Sequence, residues 1–506
     1  LKNSSAKIVH NSFWYGLETI TEIVVFLGTS IAVARYLGPA KLGYFSYINF
    51  FVVIVTRTSG TGLSTATRKY MSEFLALGRP GTARAVYNLA HRYQLIGAVG
   101  IAALGVAGIA LFGEPQYRLM SSILIVSIVP GLMSWVPAQA NQAFEDVSKN
   151  TLSAFGYLVA YSITTVLAIH FRWDLVGIAA ASLVGRSVEV VLRTIPLNAI
   201  LRKLPLDPLD SEIVHRIRRF CIQAVGLQLL MSVVWDRSEM VFLRYFSSLE
   251  QTAFYSVSFS LATNLLTLPR VFGAATGITL MTEAVKSPER VNSLVQNACR
   301  YMLLIAVPVC LGAAAITRPA VGVGYGSRYL GAVPVLIIAA ILSIPRAFQA
   351  IPEILLRTGD LQNRILVWYS ITGVINIAAD FLLIPRYGAV GAAWGNGLSQ
   401  CFGVLVIWQQ ARRFYTFRFP VQAAVRLTIA STIMAVIAFF IGRSVPRLPG
   451  LLLAVITAVP IYIVLLRLFH GLEPSDRDRL APIGKNLPGA ARRAYFATIE
   501  FVTPEA

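Results

Sequence analysis

The sequence predicts an all-α polytopic membrane protein of about 14 transmembrane helices, arranged as two six-helix lobes with two extra C-terminal helices. Three observations lead there. The 506 residues are 56% hydrophobic and only 13% charged, with a mean hydropathy of +0.65, far from a soluble globular chain. Apolar windows of about 20 residues, enough to cross a bilayer as helix, recur along nearly the whole length. A membrane β-barrel would show weaker alternating segments of about ten residues. The chain also repeats itself. Arg35-Tyr36 returns as Arg244-Tyr245, Arg57-x-x-Gly60 as Arg270-x-x-Gly273, and Met71-Ser72-Glu73 as Met281-Thr282-Glu283, each roughly 210 residues later.

Taken in order, spans one to six are expected near 9–34, 43–67, 87–112, 119–144, 151–171 and 175–200. The polar segment 202–212, with Pro205 and Pro208, marks the best internal boundary. Spans seven to twelve follow near 220–243, 252–280, 298–318, 330–356, 363–385 and 388–410. Two more, near 421–441 and 449–469, have no counterpart in the first half. The domains so defined are an N-terminal lobe (1–205), a C-terminal lobe (206–415), helices 13 and 14 (416–470) and a polar, basic cytoplasmic tail (471–506). No cleavable signal peptide is expected before the first span.

The halves match beyond the opening stretch: Gly16-Leu17-Glu18 with Gly226-Leu227-Gln228, Val136-Pro137 with Ile351-Pro352, and Val176-Gly177 with Val390-Gly391. Gly113 to Tyr117 and Gly326 to Tyr329 each open the fourth span of their half. An even number of spans per repeat gives both halves the same orientation. Parallel repeats of this kind mark transporters with a site between the halves.

The formal charge of +20 suits nucleic acid by magnitude but not by distribution. With both termini cytoplasmic, the inner connections and tails collect most of the Lys and Arg, such as Arg68, Lys69, Arg202, Lys203, Arg216, Arg218, Arg219, Arg412 and Arg413. The opposite side holds Arg35, Lys41, Arg118, Arg172, Arg244, Arg318, Arg328, Arg386, Arg443 and Arg447. That is the positive-inside signature, and no nucleic-acid partner is expected.

Four spans carry polar side chains at helical spacing. Span one has Asn11, Tyr15, Glu18 and Glu22; span two has Arg57, Thr61, Ser64 and Arg68. Span seven has Gln228, Ser232, Asp236 and Glu239, with Arg237 beside them; span eight has Ser256, Ser260, Thr263, Thr267 and Arg270. An arginine in the hydrocarbon core costs roughly 2.5–3.5 kcal/mol on insertion scales, so it faces a wet cavity or an anionic partner. Guanidinium groups bind phosphate oxygens bidentately and stay charged in any environment. Arg57 and Arg270, at equivalent mid-span positions, are the leading substrate-binding candidates, with Arg237, Thr61, Ser260 and Thr267 around them. Glu18, Glu22, Asp236 and Glu239 either balance these charges or couple an ion. Arg186 with Glu189 reads as a structural pair, Arg346 after Pro345 as a charge beside a kink, and Asp380 as a weaker candidate.

Catalysis is poorly supported. The histidines are isolated, and no metalloprotease, Walker or nucleophile-elbow motif is present. The four cysteines form no C-x-x-C pair, so neither a disulfide framework nor a zinc site follows. No cofactor or metal is expected. The loops are too short to hold the acceptor of a membrane glycosyltransferase, ligase or polymerase.

Residues 34–44, ARYLGPAKLGY, resemble the R-x-L-G-P-x-x-x-G turn after the first span of polysaccharide-unit flippases. Asp236-Arg237 followed by Tyr255-Ser256 is similar to their seventh span and the start of their eighth. Residues 383–393, LIPRYGAVGAA, resemble their turn between spans eleven and twelve. The likeness runs to about Phe469. It implies the MATE-like fold of the multidrug/oligosaccharidyl-lipid/polysaccharide (MOP) exporters, with two lobes forming a V. It further implies that the protein flips a polyprenyl-diphosphate-linked oligosaccharide repeat unit across the cytoplasmic (inner) membrane by alternating access. The products of such transport are O-antigen, capsule or exopolysaccharide, and the implied partners are membrane lipid, a polysaccharide polymerase and glycosyltransferases. No enzymatic step is implied. Helices 13 and 14 fit this branch better than the twelve-span multidrug branch. A cation-coupled multidrug exporter of the same superfamily is the alternative, for which an arginine-bearing cavity is a poor match.

Overall fold

The computed structural model describes the chain from Lys2 to Thr503, except Val147, Asp236, Arg237, Pro446, Ser475, Asp478, Leu480 and residues 482–488. In helical segments it also omits the side chains before Thr19 and at a few later positions. The described residues are helical with no strand, as apolar windows in lipid require, because a helix satisfies its own backbone. Ten stretches among them are long and apolar enough to cross a membrane. The chain is a multi-pass membrane protein.

The first stretch lies in α1 (Lys2–Ala76), which holds two expected spans joined at Gly38. Gly38 has φ 74° and is followed by Pro39, so a left-handed glycine turns the chain where the proline cannot continue the helix. Then come α2 (Pro80–Phe112), a span in three pieces, α3 (Arg118–Val126), α4 (Ile128–Met133) and α5 (Trp135–Ala143), then α6 (Ser148–His170) and α7 (Asp174–Leu201). Pro130 and Pro137 lie in this interrupted span, and Ser127 and Ser134 stand at its joints. Their hydroxyls donate to the carbonyls of Leu124 (2.6 Å) and Gly131 (2.9 Å), so side chains take up part of the freed backbone.

The polar segment leads to α8 (Ser211–Trp235) and the short α9 (Glu239–Phe246). Expected span eight is broken into α10 (Leu249–Leu265) and α11 (Thr267–Lys286). After α12 (Val291–Gly324), span ten is interrupted like span four, as α13 (Ala332–Leu342), a 3-10 turn at Pro345–Phe348 and α14 (Ala350–Thr358). Two expected spans share α15 (Gln362–Arg412), kinked at Gly388 with φ 54°. α16 (Val421–Ser444) and α17 (Arg447–Leu468) supply expected spans thirteen and fourteen, and a tail helix covers Gly489–Val502. The ten stretches thus carry twelve of the expected spans. Spans seven and eight fall on α8–α9 and α10–α11, outside that set.

The chain divides into two compact units, Leu1–Arg244 and Tyr245–Ala506. In the first, Met71, Val86, Tyr87, Ala140 and Leu197 form a buried core that also takes Ile213 and Ile217 of α8. Gly62 admits α8 closely, since a Cβ there would stand 2.8 Å from Val225. By packing, α8 therefore belongs with the first unit. The lobe boundary at 205/206 remains our proposal about the repeat.

Repeat-related positions make equivalent contacts inside their own units. A Cβ on Gly60 would meet Trp135 at 3.0 Å, and one on Gly273 would meet Met302 at 2.4 Å and Ala350 at 3.6 Å. Trp135 and Ala350 each precede the matching Val136-Pro137 and Ile351-Pro352 steps. Lys41, opening span two, pairs with Asp174 at the start of α7 at 2.5 Å. Its counterpart Gln251, opening span eight, accepts from the Ala389 amide at 3.0 Å. Leu104, Phe112, Phe440 and Ile456 are largely exposed, which is the pattern of a lipid-facing surface.

Candidate functional site

In the first unit, the second half of α1 carries Arg57, exposed, one residue after buried Thr56. Thr61 Oγ1 donates to the Arg57 carbonyl at 2.7 Å, and Ser64 Oγ to the Thr61 carbonyl at 3.3 Å. Both hydroxyls bond to the helix backbone. Arg68, about three turns beyond Arg57, donates to Gln142 at 3.2 Å. Glu22 is exposed, and Glu239 is fully buried at the start of α9. Gln228 donates to Ser232 on α8 at 3.2 Å. Asp236, Arg237 and the Glu18 side chain lie outside the described residues.

A second cluster in the same unit involves residues read from the sequence as a plain helix pair. Arg193 Nη1 forms an ion pair with Glu189 Oε1 at 2.9 Å and donates to the Ser134 carbonyl at 3.3 Å. Arg186 stands 3.9 Å from the other Glu189 oxygen, at the limit of an ion pair. Its guanidinium instead lies over the Tyr157 ring, 5.5 Å from the centroid, a cation–π distance. Tyr157 and Tyr161 stack at 5.8 Å, with Phe26 of α1 6.0 Å from Tyr157. A Cβ on Gly131 would stand 3.1 Å from Arg186 Cδ and 3.8 Å from Thr56, so the Arg186 stem and Thr56 flank one glycine. The signal for the preferred partner was present: Glu before Arg at i,i+4 is the favourable helix orientation, and Glu189–Arg193 has it.

In the second unit Arg270 folds back on its own helix break. Its Nη2 donates to the Thr263 carbonyl at 3.0 Å and to Thr267 Oγ1 at 3.4 Å, and its Nε to the Leu266 carbonyl at 3.3 Å. The Thr263 and Leu266 carbonyls also accept from the backbone amides of Leu266 (3.3 Å) and Arg270 (3.0 Å), so the guanidinium adds a second donor to each. Ser260 is half-buried on α10. Tyr255, Ser343, Arg346, Asn396 and Gln400 line a small cavity of about 20 Å³, room for one water. Gln400 donates to Asn396 at 2.9 Å. Nearby on α15, Asn376 and Asp380 are 1% and 0% exposed, and a Cβ on Gly395 would meet Asp380 Oδ1 at 3.4 Å. A fully buried carboxylate in a membrane span is a functional candidate by default, which places Asp380 higher than its sequence context did. Glu353 accepts from Gln349 (2.6 Å), Tyr369 and Arg357 (3.2 Å), a saturated structural acid.

Arg57 thus belongs to one unit and Arg270 to the other, each on a polar face within a multi-pass helical fold. The profile of the polysaccharide biosynthesis protein family matches residues 32–334, more than half the chain. The chain belongs to that family. No curated protein matches it in sequence. Among solved structures, the inward closed conformation of the lipid II flippase MurJ superposes with a TM-score of 0.69 at 14% identity, covering 91% of this chain and 99% of that one. An inward-facing MATE-family multidrug resistance transporter of the MOP superfamily gives 0.67 at 14% identity, with coverage of 77% and 94%. A MOP-superfamily transporter from Pyrococcus furiosus, described as having a binding pocket of reverse polarity, gives 0.57 at 14% identity, with coverage of 80% and 95%. At these identities the likeness establishes the fold. This member of the polysaccharide biosynthesis family has the helical architecture of MOP-superfamily flippases and transporters.

Proposed function

We propose that the protein flips a polyprenyl-diphosphate-linked oligosaccharide repeat unit across the cytoplasmic membrane, for O-antigen, capsule or exopolysaccharide synthesis. The observation that carries the reading is the family match over residues 32–334 on a fold shared with a lipid II flippase. Both termini lie in the cytoplasm, as the distribution of Lys and Arg suggests. The action is alternating access without a covalent step, in concert with a polymerase and glycosyltransferases.

Arg57 and Arg270 bind the diphosphate, assisted by Arg237, Thr61, Ser260 and Thr267. A diphosphate offers each guanidinium a charge-assisted bidentate partner. The polar self-contacts of Arg270 are placeholders that the substrate replaces. Glu18, Glu22, Asp236 and Glu239 balance these charges or couple ion movement. A cation-coupled multidrug exporter shares the fold of the MATE neighbour, but its usual cationic cargo is repelled by exposed arginines. The test is glycan export in cells carrying Arg57→Ala or Arg270→Ala. A loss with the protein still folded and inserted supports the reading, and full export in both variants overturns it.

A further inference from the structure

We infer that the end of the second unit where α12, α16 and α17 meet is a binding site for the phosphate of an anionic membrane lipid, separate from any transport path. A cleft of about 440 Å³ opens there, lined by Arg318, Arg443 and Arg447 together with Leu330, Phe439 and Pro319. No Asp or Glu lines it. Gly442 makes the junction: a Cβ there would stand 3.4 Å from Pro319 and 3.9 Å from Ala454. The last turn of α16 is thereby held against α12 and α17, which brings Arg443 close to Arg318.

Three exposed guanidinium groups in one cleft repel each other, and among the described residues none of them has an acidic partner. Other basic residues that the sequence assigns to outer connections are used differently. Lys41 holds Asp174, Arg244 holds Glu114, and Arg118 donates to the Gly113 carbonyl at 3.0 Å. Arg447 is the least comfortable of the three. It has φ 64°, a left-handed conformation that costs a non-glycine residue backbone energy. It also opens α17, where the helix dipole disfavours a cation and favours an anion. A bound phosphate removes the mutual repulsion and satisfies that helix end at once.

The wall of the cleft separates a lipid-borne phosphate from a free one. Leu330 and Phe439 are 38% and 43% exposed, and Phe440 beside them 61%. An apolar face directly beside a guanidinium cluster fits an amphiphile lying at the membrane surface, head group on the arginines and chains along α16. Free phosphate makes no use of that wall.

The test uses the full chain purified in a zwitterionic detergent. Native mass spectrometry counts bound lipid while phosphatidylglycerol or phosphatidylcholine is titrated, with and without inorganic phosphate. The variant is Arg443→Gln with Arg447→Gln, both exposed, and its melting temperature is followed alongside. The expected result is retention of phosphatidylglycerol over phosphatidylcholine that falls roughly tenfold or more in the variant, unaffected by inorganic phosphate at equal concentration. Equal binding of the two lipids, or retention unchanged in the variant, overturns the proposal. Protection by inorganic phosphate without lipid preference overturns the lipid assignment and gives the cleft to a free anion. Because Arg57 and Arg270 are untouched, glycan export by the variant separates this site from the proposed transport role.

Discussion

The guanidinium of Arg186 lies 5.5 Å from the centre of the Tyr157 ring, while the neighbouring carboxylate of Glu189 makes its short ion pair with Arg193 at 2.9 Å. Two arginines one turn either side of the same acid therefore differ in kind. Arg193, with a side chain 9% exposed, is locked into the helix bundle; Arg186, 31% exposed, is held mainly by an aromatic face.

That difference predicts opposite phenotypes. Glu189→Ala strands buried Arg193 and lowers stability by on the order of 3 kcal/mol, seen in the detergent melting curve. Arg186→Gln leaves the melting curve within about 1 kcal/mol and reduces export if Arg186 meets the substrate's negative charge. Equal melting of both variants would contradict the assignment of Glu189 to Arg193.

The repeat-related glycines should respond unequally. Gly60→Val drives a branched side chain into the Trp135 ring and costs about 1–3 kcal/mol by overpacking. Gly273→Ala meets only the Met302 methyl at close range, a flexible end that moves aside. Thermal unfolding of the two variants checks this.

The tail is tied to the second unit by charge. Arg300, 5% exposed, pairs with Glu473 and with Asp476, which is 0% exposed, and Tyr301 donates to Asp476 at 2.6 Å. Arg300→Ala leaves a buried carboxylate unpaired, costs about 3–5 kcal/mol, and should expose the segment after Gly471 to limited proteolysis. Arg300→Met combined with Asp476→Leu should restore most of the protection. Tail cleavage unchanged in the single variant would contradict the tie.

Asp380→Asn keeps the shape of the buried side chain and removes its charge. Its melting temperature is followed alongside, and only a variant that still folds is scored for export. Loss of export in that stable variant would mark Asp380 as functional, and intact export would mark it as structural.

Much of the fold was legible because its signals are local. Long apolar windows, left-handed Gly38 and Gly388, and the prolines of the interrupted fourth and tenth spans each act within a few residues of themselves. The repeat was legible for the same reason, since Gly60 and Gly273 keep their small size where a neighbouring helix presses. What escaped depends on partners far apart in sequence. Nothing local says that Arg318, Arg443 and Arg447 share a cleft. Arg270 read as a ligand-facing charge, and its bonds to Thr263 and Leu266 come from a helix break whose position depends on packing as well as on Pro269. Asp236, Arg237 and the Glu18 side chain, prominent in the sequence, lie outside what the structure describes, so their roles stay with the proposal.

The central claim is transport of a diphosphate-linked glycan, and the most direct measurement is a lipid extract from cells lacking the gene, analysed by mass spectrometry. The account predicts accumulation of one complete polyprenyl-diphosphate repeat unit with loss of its surface polymer. Wild type should reverse both, and Arg57→Ala should restore export roughly ten- to a hundredfold less well, the worth of one charge-assisted contact. No accumulation, together with new sensitivity to cationic drugs, would contradict it and favour the exporter.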